Sequence, residues 1–175
     1  MLKLTKIALL GAVAAAGMAS TAANAATVQG TAEVDIISAV TLVETTGMDL
    51  GIVASSTTAG TVVLGDDTSS RSCNGGVTCV GTTGFSRGVF TVGGAPAGYT
   101  VAYSVDAAAT LNRVGGGGSM SLALNPSGTA TSAGTFTVAA GATATDFYVG
   151  GTLSVGASQA AGQYTGTYSV TANYN

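Results

Sequence analysis

Two cysteines are the side chains in this sequence whose type and spacing most directly suggest chemistry. Cys73 and Cys79 are the only cysteines, and they enclose the pentapeptide NGGVT. Because Asn74 and Gly75 within it form a hairpin-turn signal, we expect a structural disulfide that closes a hairpin. Two other chemistries are open to such a pair. A redox pair normally has two intervening residues beside a helix, and a zinc site would require two further ligands.

The sequence lacks the residues from which most catalytic sites are built. It contains no histidine, so Ser-His-Asp and Cys-His arrangements cannot form. Asp66 and Asp67 are the densest acidic pair, and they leave open a glycosidase-like pair of carboxylates or one weak calcium site. Adjacent acids in a glycine-bounded turn are usually just solvated, and the glycine clusters match no nucleotide-binding spacing. We therefore expect no enzymatic activity, no cofactor and no metal site.

The first 25 residues have the layout of a secretory signal peptide. Lys3 and Lys6 precede an apolar run at 7–18, and Ala23-Asn24-Ala25 is a small-x-small cleavage site. The apolar run is shorter than the roughly twenty residues that a transmembrane helix needs. We expect an exported protein whose mature chain, residues 26–175, forms a single domain and does not insert into a membrane. An oxidising compartment also favours the structural disulfide.

The mature chain is poor in charge and rich in small residues. After the signal, Arg71, Arg87 and Arg113 are the only cations, against eight acidic residues. Nucleic acid is excluded as a partner, because binding to phosphates needs a basic surface. Gly, Ala, Thr, Ser and Val dominate, a composition typical of short strands joined by tight turns rather than of charged surface helices.

Apolar and polar residues alternate along most of the mature chain, between closely spaced turn signals. This pattern predicts an all-β, antiparallel β-sandwich. Segment 67–84, which holds the cysteines, is expected to be the most irregular part. The predicted inner strands are 40–43, 48–53, 61–64, 88–92, 99–105, 119–124, 134–138 and 146–155.

The two ends of the mature chain carry long alternations. Residues 26–36 alternate as one strand, and its apolar face holds Val28, Gly30, Ala32, Val34 and Ile36. Residues 162–175 alternate as a second long strand, and its apolar face includes Gly162, Tyr164, Tyr168, Val170 and Tyr174. A sandwich that lacks one strand has an open edge, which an alternating strand from a neighbouring molecule can fill. Contacts of this kind run head to tail and produce an open filament.

These ends resemble those of bacterial pilus subunits assembled by the chaperone–usher route. In that family a glycine stands fourteenth from the C-terminus and a tyrosine is penultimate, the places held here by Gly162 and Tyr174. Gly30 resembles the small residue within the family's N-terminal extension. The runs GTAEVDIISAVTL and AGQYTGTYSV are similar to the first and last strands of colonisation-factor fimbrial subunits.

Over essentially the whole mature chain, the sequence resembles an exported bacterial family known as domain of unknown function forty-four-oh-two. This resemblance rests on the N-terminal strand, on Met48-Asp49-Leu50-Gly51 and on the ending GGTLSVGASQAAGQYTGTYSVTANYN.

The pilus resemblance implies an immunoglobulin-like, pilin-like sandwich that serves as a structural subunit of a surface fibre. Residues 26–36 would be donated to a neighbouring molecule, where Val28, Ala32, Val34 and Ile36 fill pockets and Gly30 permits close backbone approach. Residues 162–174 would form one wall of the accepting groove. The implied partners are further copies of the chain, a periplasmic chaperone and an outer-membrane usher, and the implied location is the periplasm and then the cell surface. The alternative is a self-complete secreted sandwich, a stable monomer that acts as a surface or matrix binding and adhesion module.

Overall fold

A computed structural model describes residues 26–66, 70–126 and 133–175, and in these ranges the protein is all-β. The chain divides into two units, Met1–Asp35 and Ile36–Asn175. The predicted signal peptide at 1–25 and Asp67 of the acidic pair lie outside the described residues. The described parts contain no helix that could span a membrane.

Eleven strands form in the described residues, all of them within the second unit. In chain order they are β1 (Thr41–Thr46), β2 (Ile52–Leu64), β3 (Arg71–Val80), β4 (Gly88–Gly93), β5 (Thr100–Val105), β6 (Ala108–Arg113), β7 (Ser119–Pro126), β8 (Ala133–Thr137), β9 (Ala144–Val155), β10 (Tyr164–Thr165) and β11 (Val170–Tyr174).

The strands pair antiparallel in two sheets of unequal size. The larger sheet has eight strands, with the order β1-β4-β9-β7-β6-β10 and with β2 and β3 attached beside β9. Strand β9 is its centre, because β4 pairs with its first half, β2 pairs with its second half on the same side, and β7 pairs on the opposite side. The smaller sheet has three strands in the order β11-β5-β8.

The two sheets pack face to face through one shared apolar core. Tyr103 of β5 stacks on Phe147 of β9 with ring centroids 4.5 Å apart, and Phe147 stacks in turn on Phe90 of β4 at 5.5 Å. Val101 in the smaller sheet and Val149 in the larger are fully buried. Alternation along each strand directs these side chains inward and leaves Thr, Ser and Asn on the outside. The sequence-based prediction of an all-β antiparallel fold is confirmed.

The C-terminal alternation is not one strand, as the sequence suggested, but two. Strand β10 pairs with β6 in the larger sheet, and β11 pairs with β5 in the smaller sheet. Gly166 lies where the chain passes β6, so close that a Cβ there would overlap the Thr110 carbonyl oxygen. The chain then crosses from one sheet to the other. The predicted alternation of burial nevertheless holds, since Tyr164, Tyr168, Val170, Ala172 and Tyr174 are half-buried and their neighbours are exposed.

Three further strand predictions are corrected. Segment 71–80 is strand β3, although Gly75 in it has a φ of +68° and the strand is not straight. Strand β6 was not predicted, because its small side chains give little apolar signal. Residues 26–39 carry no strand in the single chain, although 26–36 alternate like one. The predicted strand at 48–53 is instead a single bridge at Asp49 followed by the start of β2.

The predicted disulfide between Cys73 and Cys79 is confirmed. The prediction that it closes a hairpin between two strands is wrong. Both cysteines lie within β3, where Cys73 faces Val62 and Cys79 faces Val53 of β2. Their Cα atoms are 5.6 Å apart, whereas six residues of extended chain span about 20 Å. Strand β3 therefore turns a sharp corner together with β2, which loops out between Ser55 and Gly60. The disulfide spans that corner.

We predict that loss of this disulfide lowers the free energy of unfolding by about 2 kcal/mol, the value expected from chain entropy for so short a loop. The double variant Cys73→Ala/Cys79→Ala and the reduced wild-type protein should show the same fall in a urea titration. A transition midpoint that does not move in either sample would show that β2 and β3 hold the corner without the crosslink.

Candidate functional site

A groove of about 580 Å³ with an apolar floor and mixed walls lies on the inner face of the larger sheet. Its floor is formed by side chains of β6, β7 and β9, namely Leu111, Met120, Leu122 and Leu153. One wall is segment 48–53 and the other is segment 162–168. We refer to this feature as the groove.

The groove exists because the smaller sheet covers only part of the larger one. Leu122 and Leu153 are buried, whereas Met48, Leu111 and Met120 pack against the same core and remain half-exposed. Exposed apolar surface of this kind costs about 25 cal/mol for each Å² left in water. The β-sandwich therefore has a core that is incompletely covered along the groove.

Backbone hydrogen bonds and one arginine hold the 48–53 wall. Asp49 and Ser86 exchange two backbone hydrogen bonds of 2.8 Å, and the Asp49 carboxylate accepts a hydrogen bond from the Gly51 N–H at 2.7 Å. The Arg71 guanidinium donates to the Leu50 carbonyl at 2.9 Å and to the carbonyls of Val80 and Gly81 at the end of β3. It also stacks over the Phe85 ring at 4.7 Å. A cation that uses its donors on carbonyls acts here as a clamp on the chain.

The opposite wall begins at Gly162, where the sequence predicted a motif glycine. Its φ is +150°, and a Cβ at this position would lie 2.7 Å from Nε of Arg113. The side chain of Arg113 occupies that space and donates from Nε to the Ala161 carbonyl at 2.8 Å and from Nη1 to the Gly116 carbonyl at 3.0 Å. Tyr164 continues the wall and donates its hydroxyl to the Ala160 carbonyl at 2.8 Å. Glycine at 162 is therefore required by close packing as well as by backbone conformation.

Tyr168 closes the other end of this wall and reaches into the core. Its ring meets Phe90 edge-on at 6.1 Å, and its hydroxyl is buried with no hydrogen-bond partner among the described residues. Gly88 makes room for it, because a Cβ there would lie 2.7 Å from the hydroxyl oxygen. Burial, and secondarily the negative charge of Glu44, raises the pKa of Tyr168 to about 12. The hydroxyl therefore stays protonated at any physiological pH, and the fold loses stability as the pH rises above the ordinary tyrosine pKa of 10.0 and through about 12.

The remaining residues of the predicted C-terminal motif lie in β11, after the 162–168 wall of the groove. Val170 and Tyr174 lie in β11, face the core and remain half-buried. The Tyr174 hydroxyl donates to the Ser38 carbonyl at 2.5 Å, and its ring meets Tyr99 edge-on at 5.9 Å. The penultimate tyrosine thus holds the segment that leads into β1. Among the described residues β11 pairs only with β5, so its other edge is open.

The predicted donor residues lie in exposed chain. Val28, Val34 and Ile36 are 89%, 80% and 91% exposed, and Gly30 and Ala32 are exposed as well. A monomeric protein normally buries such β-branched side chains. Among the described residues, the apolar face of 26–36 is therefore exposed rather than packed.

The sequence reasoning found one wall of the groove and missed the rest. Segment 48–51 was noticed only as part of a family resemblance, and the floor residues Leu111 and Met120 were given no role. The alternation of β7, in which Met120, Leu122 and Leu124 point one way, was the available signal. No pattern in the sequence indicates that the smaller sheet has only three strands and leaves part of the larger sheet uncovered.

No group of three or more possible metal ligands occurs in the described ranges. Asp66 is buried, and its backbone carbonyl accepts a hydrogen bond of 2.5 Å from Arg87, whose guanidinium lies 3.6 Å over the Tyr148 ring. Half of the predicted acidic pair is thus part of a packed corner of the domain.

Comparison with known proteins places the chain in a family. Residues 40–174 match the family profile described as Domain of unknown function (DUF4402). The chain belongs to this family. The match covers both walls and the floor of the groove, and it begins after the exposed segment 26–36. No curated protein and no solved structure matched the chain.

Gly88 and Tyr168 provide a test of how the groove wall is packed. Gly88→Ala should lower the free energy of unfolding by about 1–3 kcal/mol, because the added methyl group meets the Tyr168 hydroxyl. Tyr168→Phe should be neutral or slightly stabilising, since it removes an unpaired buried hydroxyl. The double variant should recover most of the loss, with a coupling energy of about 0.5–3 kcal/mol in urea titrations. Additive losses would mean that the two residues do not touch.

Proposed function

We propose that this protein is a structural subunit of a bacterial surface fibre that polymerises by strand donation. Residues 26–36 of one molecule fill the groove of the next, and the fibre grows head to tail. The observation that carries the proposal is the pairing of an unfilled apolar groove with an exposed, alternating, strand-like segment in the same chain.

The donated segment is longer than this wall of the groove. Segment 162–168 spans at most about 20 Å, and residues 26–36 in extended form span about 35 Å. The donated strand therefore fills the groove and continues along the open edge of β11. Its apolar side chains recur about 7 Å apart on one face, and they meet the half-exposed floor residues Leu111 and Met120.

Burial supplies the free energy for this contact. Transfer of an exposed valine or isoleucine side chain into an apolar site stabilises by about 1.5–3 kcal/mol. Val28, Val34 and Ile36 each offer nearly a full side chain. Backbone hydrogen bonds along the open edge of β11 add specificity, as in other complexes in which a strand joins a sheet.

The fibre model also accounts for the composition and the disulfide. A chain with few charges and many small side chains packs closely against copies of itself. A disulfide is typical of an oxidising compartment, which agrees with export to the periplasm and the cell surface. Because the empty groove exposes apolar surface, we include a periplasmic chaperone that covers it and an outer-membrane usher that passes subunits onward.

The proposal is tested first on full-length protein recovered from the cells that make it. On a denaturing gel, unheated wild-type protein should give a ladder at multiples of the subunit, and boiling should collapse it to one band. Val34→Asp should abolish the ladder, because it places a carboxylate in an apolar groove at a cost of at least about 2 kcal/mol.

Thr31→Asp is the matched control, since it adds the same charge on the opposite face of the same segment and should keep the ladder. A ladder that survives Val34→Asp would contradict strand donation by residues 26–36. A single band from unheated wild-type protein would contradict the fibre itself and would favour the self-complete binding module.

A further inference from the structure

We propose that Met48 and Met120 form a modification site, at which a peroxide oxidises both side chains to sulfoxides and makes the groove unfit for an apolar strand. The inference rests on the proposed function for the identity of that strand, and it adds a chemical control of the same groove. It follows from the positions and surroundings of the two methionines.

The groove holds every thioether of residues 26–175. The sequence has four methionines, of which Met1 and Met18 belong to the predicted signal peptide. Met48 lies in the 48–53 wall of the groove, and Met120 lies on its floor in β7. Two methionines that are far apart in the sequence thus meet at one feature of the fold. Chemistry specific to thioethers therefore acts on the groove.

Few other side chains offer a peroxide an oxidisable atom. The chain contains no tryptophan and no histidine. Both cysteines are joined in the disulfide, so no thiol remains. Thiolates and thioethers are the common targets of such oxidants, and in this chain the reaction is therefore directed to the two methionines.

Solvent reaches both methionines. Along the inward face of β7, Met120 is half-exposed, whereas Leu122 is 2% and Leu124 is 8% exposed. Met120 therefore lies where the cover of the smaller sheet ends. Met48 on the wall is also half-exposed. Since oxidation of a side chain follows its exposure, the empty groove presents both thioethers to a dissolved oxidant.

The reaction needs only a thioether and the oxidant. With hydrogen peroxide, a lone pair of the methionine sulfur attacks one peroxide oxygen, an S–O bond forms and the O–O bond breaks. The leaving hydroxide removes the proton from the transferred oxygen and departs as water. Sulfur is oxidised by two electrons, and the peroxide is reduced by the same two electrons.

A sulfoxide on the floor makes an apolar surface polar. Met120 pairs across the sheet with Leu111, on the surface that the donated strand is proposed to cover. The sulfoxide oxygen is hydrated while the groove is empty, and a strand that covers it removes this water. Burial of a polar group in this way opposes binding, and methionine oxidation disrupts methionine-lined interfaces for the same reason.

A filled groove is protected from this reaction. The donated strand lies over Met120 and beside Met48, which keeps the oxidant away from both sulfur atoms. Oxidation therefore disables subunits whose groove is still empty and spares those already in a fibre. The fibre stops growing without coming apart.

The site is tested first on the full-length Val34→Asp chain, whose own segment is disabled, so that its groove stays empty. Hydrogen peroxide is added, and peptide mass spectrometry follows the gain of one oxygen at each methionine. Leu124→Met is the matched control, because it conserves volume and places a thioether on the same face of β7 under the smaller sheet. Met48 and Met120 should oxidise several times faster than this introduced thioether. Equal rates would overturn the site.

The effect on the groove is measured by peptide binding. The probe is a fluorescent synthetic peptide of residues 26–36, and the acceptor is the Val34→Asp chain before and after oxidation. Fluorescence anisotropy should show binding that is about five- to a hundredfold weaker after oxidation, because the peptide covers an unpaired polar group. The added substitutions Met48→Leu and Met120→Leu keep the apolar volume without thioethers, and the peptide affinity of this leucine variant should be unaffected by peroxide.

Unchanged affinity of an acceptor that carries both sulfoxides would overturn the inference and keep the proposed function. An equal loss in the leucine variant would also overturn it, because the loss would then arise outside the two methionines. Failure of the peptide to bind the untreated acceptor would instead count against strand donation. The groove is then probed with an apolar fluorescent dye, whose emission should fall on oxidation of the methionine chain and not of the leucine variant. An equal response of the two chains to peroxide would overturn the inference.

Discussion

The inner face of the larger sheet is wider than the smaller sheet that covers it. Eight strands present their apolar side chains to a layer of only three, so the stack of Phe90, Phe147 and Tyr103 is enclosed while Leu111 and Met120 remain half-exposed. The groove, its two walls and the open edge of β11 all follow from this mismatch in width. Exposed apolar surface and open strand edges of this kind are places where a further strand can pair.

The three arginines of the domain hold irregular backbone. Arg71, Arg87 and Arg113 each donate to backbone carbonyls, and two of them also stack over aromatic rings. Strand pairing cannot satisfy carbonyls where a chain turns a corner or changes sheet, and a planar guanidinium with several donors can. Each arginine therefore binds carbonyls at a place where the backbone is not regularly paired, including both walls of the groove.

Alternation was sufficient to predict β4, β5, β7, β8 and β9, because their inward residues are bulky and their outward residues are small. It failed at β6, where Ala109 is buried but too small to signal it. It also failed at the C-terminus, where burial alternates without interruption while the pairing partner changes from β6 to β5. Periodicity reports which face is buried and carries no information on which strand lies alongside. The width of the groove depends on pairing, so only the structure contains it.

The incomplete core limits the stability of the single domain. The half-buried residues of β11 and the floor of the groove contribute their full burial energy only when a strand lies against them. A domain with such an incomplete core is less stable than one whose core is closed, and any strand that bound in the groove would stabilise the molecule that received it. An open strand edge beside apolar surface also pairs readily with wrong partners.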